Sequence, residues 1–116
     1  MKKIKIKLEV QYDGHSIKKN GSVDLRFKSP YSELVKSLEL LQLINCNINI
    51  KAKVNNVNYE IGTFYLNNLS VDRDGESKIK FNTEIENVEM NNLNNLTERD
   101  VIIFILCSGV VEEEEQ

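Results

Sequence analysis

The run Val101-Ile102-Ile103-Phe104-Ile105-Leu106-Cys107 constrains this chain more than any other stretch. All seven residues are apolar, most are β-branched or aromatic, and Arg99-Asp100 and Ser108-Gly109 bound them. A helix that crosses a bilayer needs about 20 apolar residues, so the run is far too short for one. Its length and composition favour a strand. Alternation sends Val101, Ile103, Ile105 and Cys107 to one side and Ile102, Phe104 and Leu106 to the other. Both sides are apolar and both want cover. That predicts a strand in the middle of a sheet, or one lying under a partner.

The other strands show the half-buried pattern instead. Ile4, Ile6, Leu8, Val10 and Tyr12 alternate with Lys3, Lys5, Lys7, Glu9 and Gln11, which predicts a strand over 3–12 with one wet face. Asp13-Gly14 interrupts it, and the apolar phase then moves to Ile17, Val23, Leu25 and Phe27. A phase flip at glycine predicts a bulge or loop, and Asn20-Gly21 a tight turn into a strand over 22–28. Cys46, Ile48, Ile50, Ala52 and Val54 alternate with Asn47, Asn49, Lys51 and Lys53. With Asn55-Asn56 as the turn, Val54 pairs with Val57, Ala52 with Tyr59 and Ile50 with Ile61. Gly62 bends the returning strand, because the phase moves afterwards to Phe64 and Leu66. Asp74-Gly75 makes the next turn, and Ile79, Phe81, Thr83 and Ile85 alternate beyond it.

One helix stands out. Ser29 is placed to cap it, Pro30 suits its first position, and Glu33 puts negative charge in its first turn. Tyr31, Leu34, Leu38 and Leu41, with Val35 beside them, form a stripe at spacings of three and four that is expected to pack on the sheet. Leu93 and Leu96 anchor at most one further helical turn in the Asn-rich stretch 88–100.

A chain of 116 residues makes one domain. The expectation is α+β: a strongly curved, mainly antiparallel sheet of about six strands with one amphipathic helix after the second strand, over 1–111. The acidic tail 112–116 should stay solvated. One short helix cannot cover six strands, so the sheet must curl, split into two layers or pack on a second copy. Cys46 and Cys107 sit in apolar strand patterns and read as reduced, buried thiols. Met1-Lys2-Lys3-Ile4-Lys5 lacks the apolar core of a signal peptide, which points to the cytoplasm.

No catalytic signature stands out. His15 is the only histidine, with no second one to share a metal, and a lone imidazole needs a partner to act as a base. There is no Cys-x-x-Cys, no Gly-rich phosphate loop and no Gly-x-Ser-x-Gly elbow. Asp72-Arg73-Asp74-Gly75-Glu76 starts like a calcium loop, but Thr83 stands where the bidentate Glu is required, so a hairpin turn is the better reading. No metal, cofactor, membrane contact or enzymatic activity is therefore expected.

The outward strand positions carry Lys3, Lys5, Lys7, Lys51, Lys53, Lys78 and Lys80. Such lysines discourage edge-to-edge strand pairing. On one sheet they would also form a basic patch for single-stranded nucleic acid, given aromatics for base stacking. A net charge of −3 argues against a dedicated duplex-DNA binder. Ile102, Phe104 and Leu106 are the candidate apolar contacts for a protein partner, with Glu112, Glu113, Glu114 and Glu115 as candidate charged ones.

The opening Met1-Lys2-Lys3-Ile4-Lys5-Ile6-Lys7-Leu8-Glu9-Val10-Gln11-Tyr12-Asp13-Gly14-His15-Ser16 and the later Asp74-Gly75-Glu76-Ser77-Lys78-Ile79-Lys80-Phe81 carry a resemblance in style. The chain resembles small early-region proteins of phages and prophages of low-GC Gram-positive bacteria. The resemblance implies a protein that acts by binding, such as a host-takeover factor, an anti-CRISPR or other anti-defence inhibitor, or a recombination accessory. With the two-faced apolar strand 101–107, the shortage of helical cover and the lack of catalytic groups, the expectation is a non-enzymatic accessory factor that binds a host protein or its own copy. The second expectation is a single-stranded nucleic-acid-binding accessory protein that uses the Lys/Asn-rich strand face.

Overall fold

A computed structural model describes residues 2–96 and 103–111. Six antiparallel strands, β1 (Lys2–Ile17), β2 (Ser22–Ser29), β3 (Ile48–Val54), β4 (Val57–Val71), β5 (Ser77–Glu84) and β6 (Ile103–Val111), close into a barrel in the order β1-β2-β5-β4-β3-β6. Closure removes the sheet edges, so the unpaired strand rim that a partner could extend does not exist among these strands.

Two long strands close the barrel by serving both of its sides. The first half of β1 pairs with β6, from Lys2 opposite Val111 to Val10 opposite Ile103. Its second half pairs with β2, from Gln11 opposite Lys28 to Ile17 opposite Val23. The register slips between Tyr12 and His15, where Gly14 has a φ of +105°. The extra residue bends the strand there, so the phase flip at Asp13-Gly14 marks a bulge within one continuous strand. β4 works in the same way, pairing first with β3 and then with β5. Its bend lies at Gly62, which shifts the expected pairing: Ile50 stands opposite Gly62 rather than Ile61, while Val54–Val57 and Ala52–Tyr59 hold.

The inward rows fill the barrel. Leu8, Leu25, Phe27, Ile48, Ile50, Ile61, Phe64, Phe81, Ile105 and Cys107 are all fully buried. Phe27, Phe81 and Phe64 meet edge to face at 6.2 and 6.3 Å between ring centres. In β6, Ile103, Ile105 and Cys107 face in, as the alternation requires, and β1 and β3 flank the strand. Val101 and Ile102 lie outside the described residues.

Helical segments plug the openings. The first runs from Tyr31 to Leu43 as a 3-10 turn (Tyr31–Glu33), α1 (Leu34–Glu39) and a second 3-10 turn (Leu40–Leu43). Ser29 does not cap it. It ends β2, fully buried, with its hydroxyl donating to the Glu9 carbonyl at 3.2 Å. The segment also sits the other way round from the sequence expectation. Ser37, Leu40 and Leu43 face the barrel at 0% exposure, while Tyr31, Val35, Leu38 and Leu41 face outward. The barrel interior is already filled by strand side chains, and Leu43 lies against Gly109, where only a small residue fits. The opening therefore takes a narrow stripe, and the wider stripe is left outside. The second plug spans a 3-10 turn (Ile85–Asn87) and α2 (Met90–Asn94), and it buries Val88, Leu93 and Leu96. It is pinned to β4 by Glu89 N–H donating to the Ile61 carbonyl at 2.9 Å and by the Asn92 side chain donating to the Glu60 carbonyl at 2.8 Å.

A candidate binding face on the sixth strand

β6 lies between β1 and β3, and the registers fix what surrounds its outward side chains. Leu106 stands between Lys7 and Lys51. Phe104 stands between Glu9 and Lys53, Ser108 between Lys5 and Asn49, and Val110 beside Lys3. The outcome is an apolar line, Phe104–Leu106–Val110, with Lys3, Lys5 and Lys7 along one side and Lys51 and Lys53 along the other. Phe104 is 40% exposed, and the Lys7 ammonium sits 5.3 Å from its ring centre. A shallow depression of about 350 Å³ runs over Lys7, Lys51, Lys53, Asn58, Phe104 and Leu106. A second, of about 420 Å³, continues past Lys3, Asn47, Asn49, Ser108 and Val110.

Lys78 and Lys80 do not join this face. They project from β5, which lies between β2 and β4 across the barrel. Lys80 stands beside Arg26 and Lys78 beside Lys28. Carboxylates balance much of that second group: Lys80 and Lys18 reach Asp24 at 3.7 and 3.5 Å, and Lys28 reaches Asp13 at 3.4 Å. Burial pushes the Asp24 carboxyl up, but the hydrogen bond from Asn82 at 2.7 Å and the charges of Lys80 and Lys18 outweigh it and hold the group below its ordinary value. Among the described residues, none of Lys3, Lys5, Lys7, Lys51 and Lys53 lies within ion-pair distance of a carboxylate.

His15 lies just past the bulge of β1, where its ring nitrogen Nδ1 and the Tyr12 hydroxyl share a hydrogen bond. Burial first, and the Arg26 guanidinium second, hold the imidazole below its ordinary pKa. Arg26 donates to the Ser16 hydroxyl at 3.1 Å. This cluster is partly buried beside the bulge and away from the β6 face. The Asp72 turn is likewise structural. One Asp72 carboxylate oxygen accepts the Asp74 and Glu76 backbone N–H groups at 2.9 and 3.0 Å. Among the described residues no group of three or more His, Cys, Asp or Glu is placed to hold a metal, and no helix is long and apolar enough to cross a membrane. Both cysteines are free thiols, with Cys107 fully buried and its pKa pushed up to about 12 by that burial.

Of the candidate contacts read from the sequence, Phe104 and Leu106 share one face with Lys3, Lys5, Lys7, Lys51 and Lys53. Ile102 and Glu112, Glu113, Glu114 and Glu115 lie outside the described residues. The sequence reading missed that these lysines and Phe104 are neighbours, because alternation gives the side of a strand but not its neighbours in the barrel. No protein-family model, curated protein or solved structure matches the chain.

Proposed function

We propose that this chain is a non-enzymatic binding protein whose β1–β6–β3 face takes single-stranded nucleic acid. The observation that carries this is the placement of five lysines, none within ion-pair distance of a carboxylate among the described residues, around the exposed Phe104 ring. Lys3, Lys5 and Lys7 recur every second residue, about 6.8 Å apart along the strand, a spacing suited to successive phosphates of an extended strand. The Phe104 ring offers a π-face on which a base can stack. The sequence alone ranked this reading second; the convergence of charge and aromatic on one face moves it first.

The test is fluorescence anisotropy of a labelled oligothymidylate, titrated at several salt concentrations. Phosphate contacts by five lysines predict a log–log salt slope of about −3.5. Lys7→Glu and Lys51→Glu should weaken binding strongly, while Lys78→Glu, across the barrel, should change it little. Phe104→Ala should cost about 1–3 kcal/mol of affinity. No binding at low salt, or equal losses for the Lys78 variant, would sink the reading.

The second reading is a host-protein target, including the anti-CRISPR or other anti-defence role that the resemblance implies. The apolar line Phe104–Leu106–Val110 favours it, because a protein partner would bury that line. Capture from bacterial lysate with and without nuclease separates the two: a stoichiometric protein that survives nuclease and is lost in Phe104→Ala supports the host target.

A further inference from the structure

The charges of the β6 face run obliquely. On the β1 side, Lys3, Lys5, Lys7 and then Glu9 stand opposite Val110, Ser108, Leu106 and Phe104. On the β3 side, Asn49, Lys51 and Lys53 stand opposite Ser108, Leu106 and Phe104. The positive track therefore starts on β1 beside Val110, has a lysine on each side at Leu106, and ends on β3 beside Phe104. The two corners off that track hold the neutral Asn49 and the acidic Glu9.

Given the nucleic-acid reading of this face, on which this rests, we infer that Glu9 selects the base that stacks on Phe104 and favours cytosine over thymine. A phosphate backbone that follows the lysines crosses β6 near Leu106 and lies over Lys53 at the Phe104 end. The hydrogen-bonding edge of a base points away from its own backbone. At Phe104 that direction leads from β3 toward β1, where Glu9 stands. A carboxylate only accepts hydrogen bonds. Cytosine offers it the N4 amino group, whereas thymine presents the O4 oxygen at the same ring position and flanks its single N3–H with two carbonyls. One pyrimidine gains a charge-assisted hydrogen bond, and the other sets acceptor against acceptor.

Three observations suit Glu9 to this role. Its backbone is anchored, since the fully buried Ser29 donates its hydroxyl proton to the Glu9 carbonyl at 3.2 Å. The residue is half-buried, and none of the ion pairs among the described residues takes its carboxylate. The surface beside it is recessed, in a depression of about 260 Å³ lined by Glu9, Gln11, Lys28, Pro30 and Glu76, so a base edge has room to approach. The Lys7 ammonium, 5.3 Å from the Phe104 ring centre, must leave the ring as the base arrives. An exposed cation–π contact is weaker than base stacking, and the ammonium passes to a phosphate of the incoming strand.

Fluorescence anisotropy with labelled oligodeoxycytidylate and oligothymidylate of equal length, at neutral pH and one salt concentration, tests this directly. The two pyrimidines have similar rings, so their affinity ratio isolates the edge contact from stacking and from phosphate binding. Oligodeoxycytidylate should bind the full chain about fivefold more tightly, the lower end of what a base-edge contact gives. Glu9→Gln keeps the side chain's size but can donate to O4 as well as accept from N4, so the ratio should fall to near one. Glu9→Ala should do the same and should also tighten oligothymidylate binding, because the opposing carboxylate is gone. Circular dichroism of both variants reports that the barrel is intact. Equal affinities in the native chain, with both lost in Lys7→Glu, overturn the role of Glu9 and leave the nucleic-acid reading standing. A preference for cytosine that survives Glu9→Gln and Glu9→Ala unchanged also overturns it, as does a preference for thymine. Failure of both oligonucleotides to bind removes the two readings together.

Discussion

Gly62 has a φ of +142°, and a Cβ added there would overlap the backbone carbonyl of Asn87. Side-chain-bearing residues avoid that conformation, and here the obstacle is backbone that cannot step aside. Gly62→Ala should therefore destabilise the barrel by about 1–3 kcal/mol or more, read as a lower urea midpoint. His15 gives a pH signature instead. Its pKa is lowered in the fold, by burial first and by Arg26 second. The unfolded chain then binds the proton more readily. The stability that His15 contributes is complete above the unfolded value of about 6.5 and declines as pH falls from there toward the folded pKa. Arg26→Met should move the His15 resonance titration upward, and a proton NMR titration of the ring reads it.

At the scale of the element, β6 divides its work between two sides. Ile105 is fully buried, and Ile105→Ala should cost about 2–5 kcal/mol of stability. Phe104→Ala, one residue away and partly exposed, should cost clearly less stability than Ile105→Ala while weakening the proposed nucleic-acid binding. Paired denaturation and anisotropy measurements on the two variants check the division. The strands were legible in the sequence because a period of two needs only local information. That is why Ile4 to Tyr12 and Cys46 to Val54 gave the inward rows correctly. The helix was misread because period alone cannot say which of two stripes faces in. Tyr31, Leu34, Leu38 and Leu41 form the wider one, but Ser37, Leu40 and Leu43 also recur every three residues, and the small Ser37 suits the closer approach to the barrel. The lysines of the candidate site were legible one strand at a time. Their assembly around Phe104 depends on β6 lying between β1 and β3, a pairing between distant parts of the chain that no local pattern encodes.

Across the whole molecule, the barrel is closed by its first and last strands, with Lys2 opposite Val111. Such pairing brings together residues separated by nearly the full chain, and loop-closure entropy must be met before the contacts form. Refolding in milliseconds to seconds is expected, measurable by stopped-flow tyrosine fluorescence. The same closure gives Cys107 a second use. Its thiol is sealed inside the barrel and its thiolate is scarce at neutral pH, whereas Cys46 is only half-buried. A thiol-reactive dye should label Cys46 in the native protein and Cys107 only when β6 parts from its neighbours. The second labelling rate is then a clock for barrel opening in water, read without denaturant, and Ile105→Ala should make that clock run faster in proportion to the stability it removes.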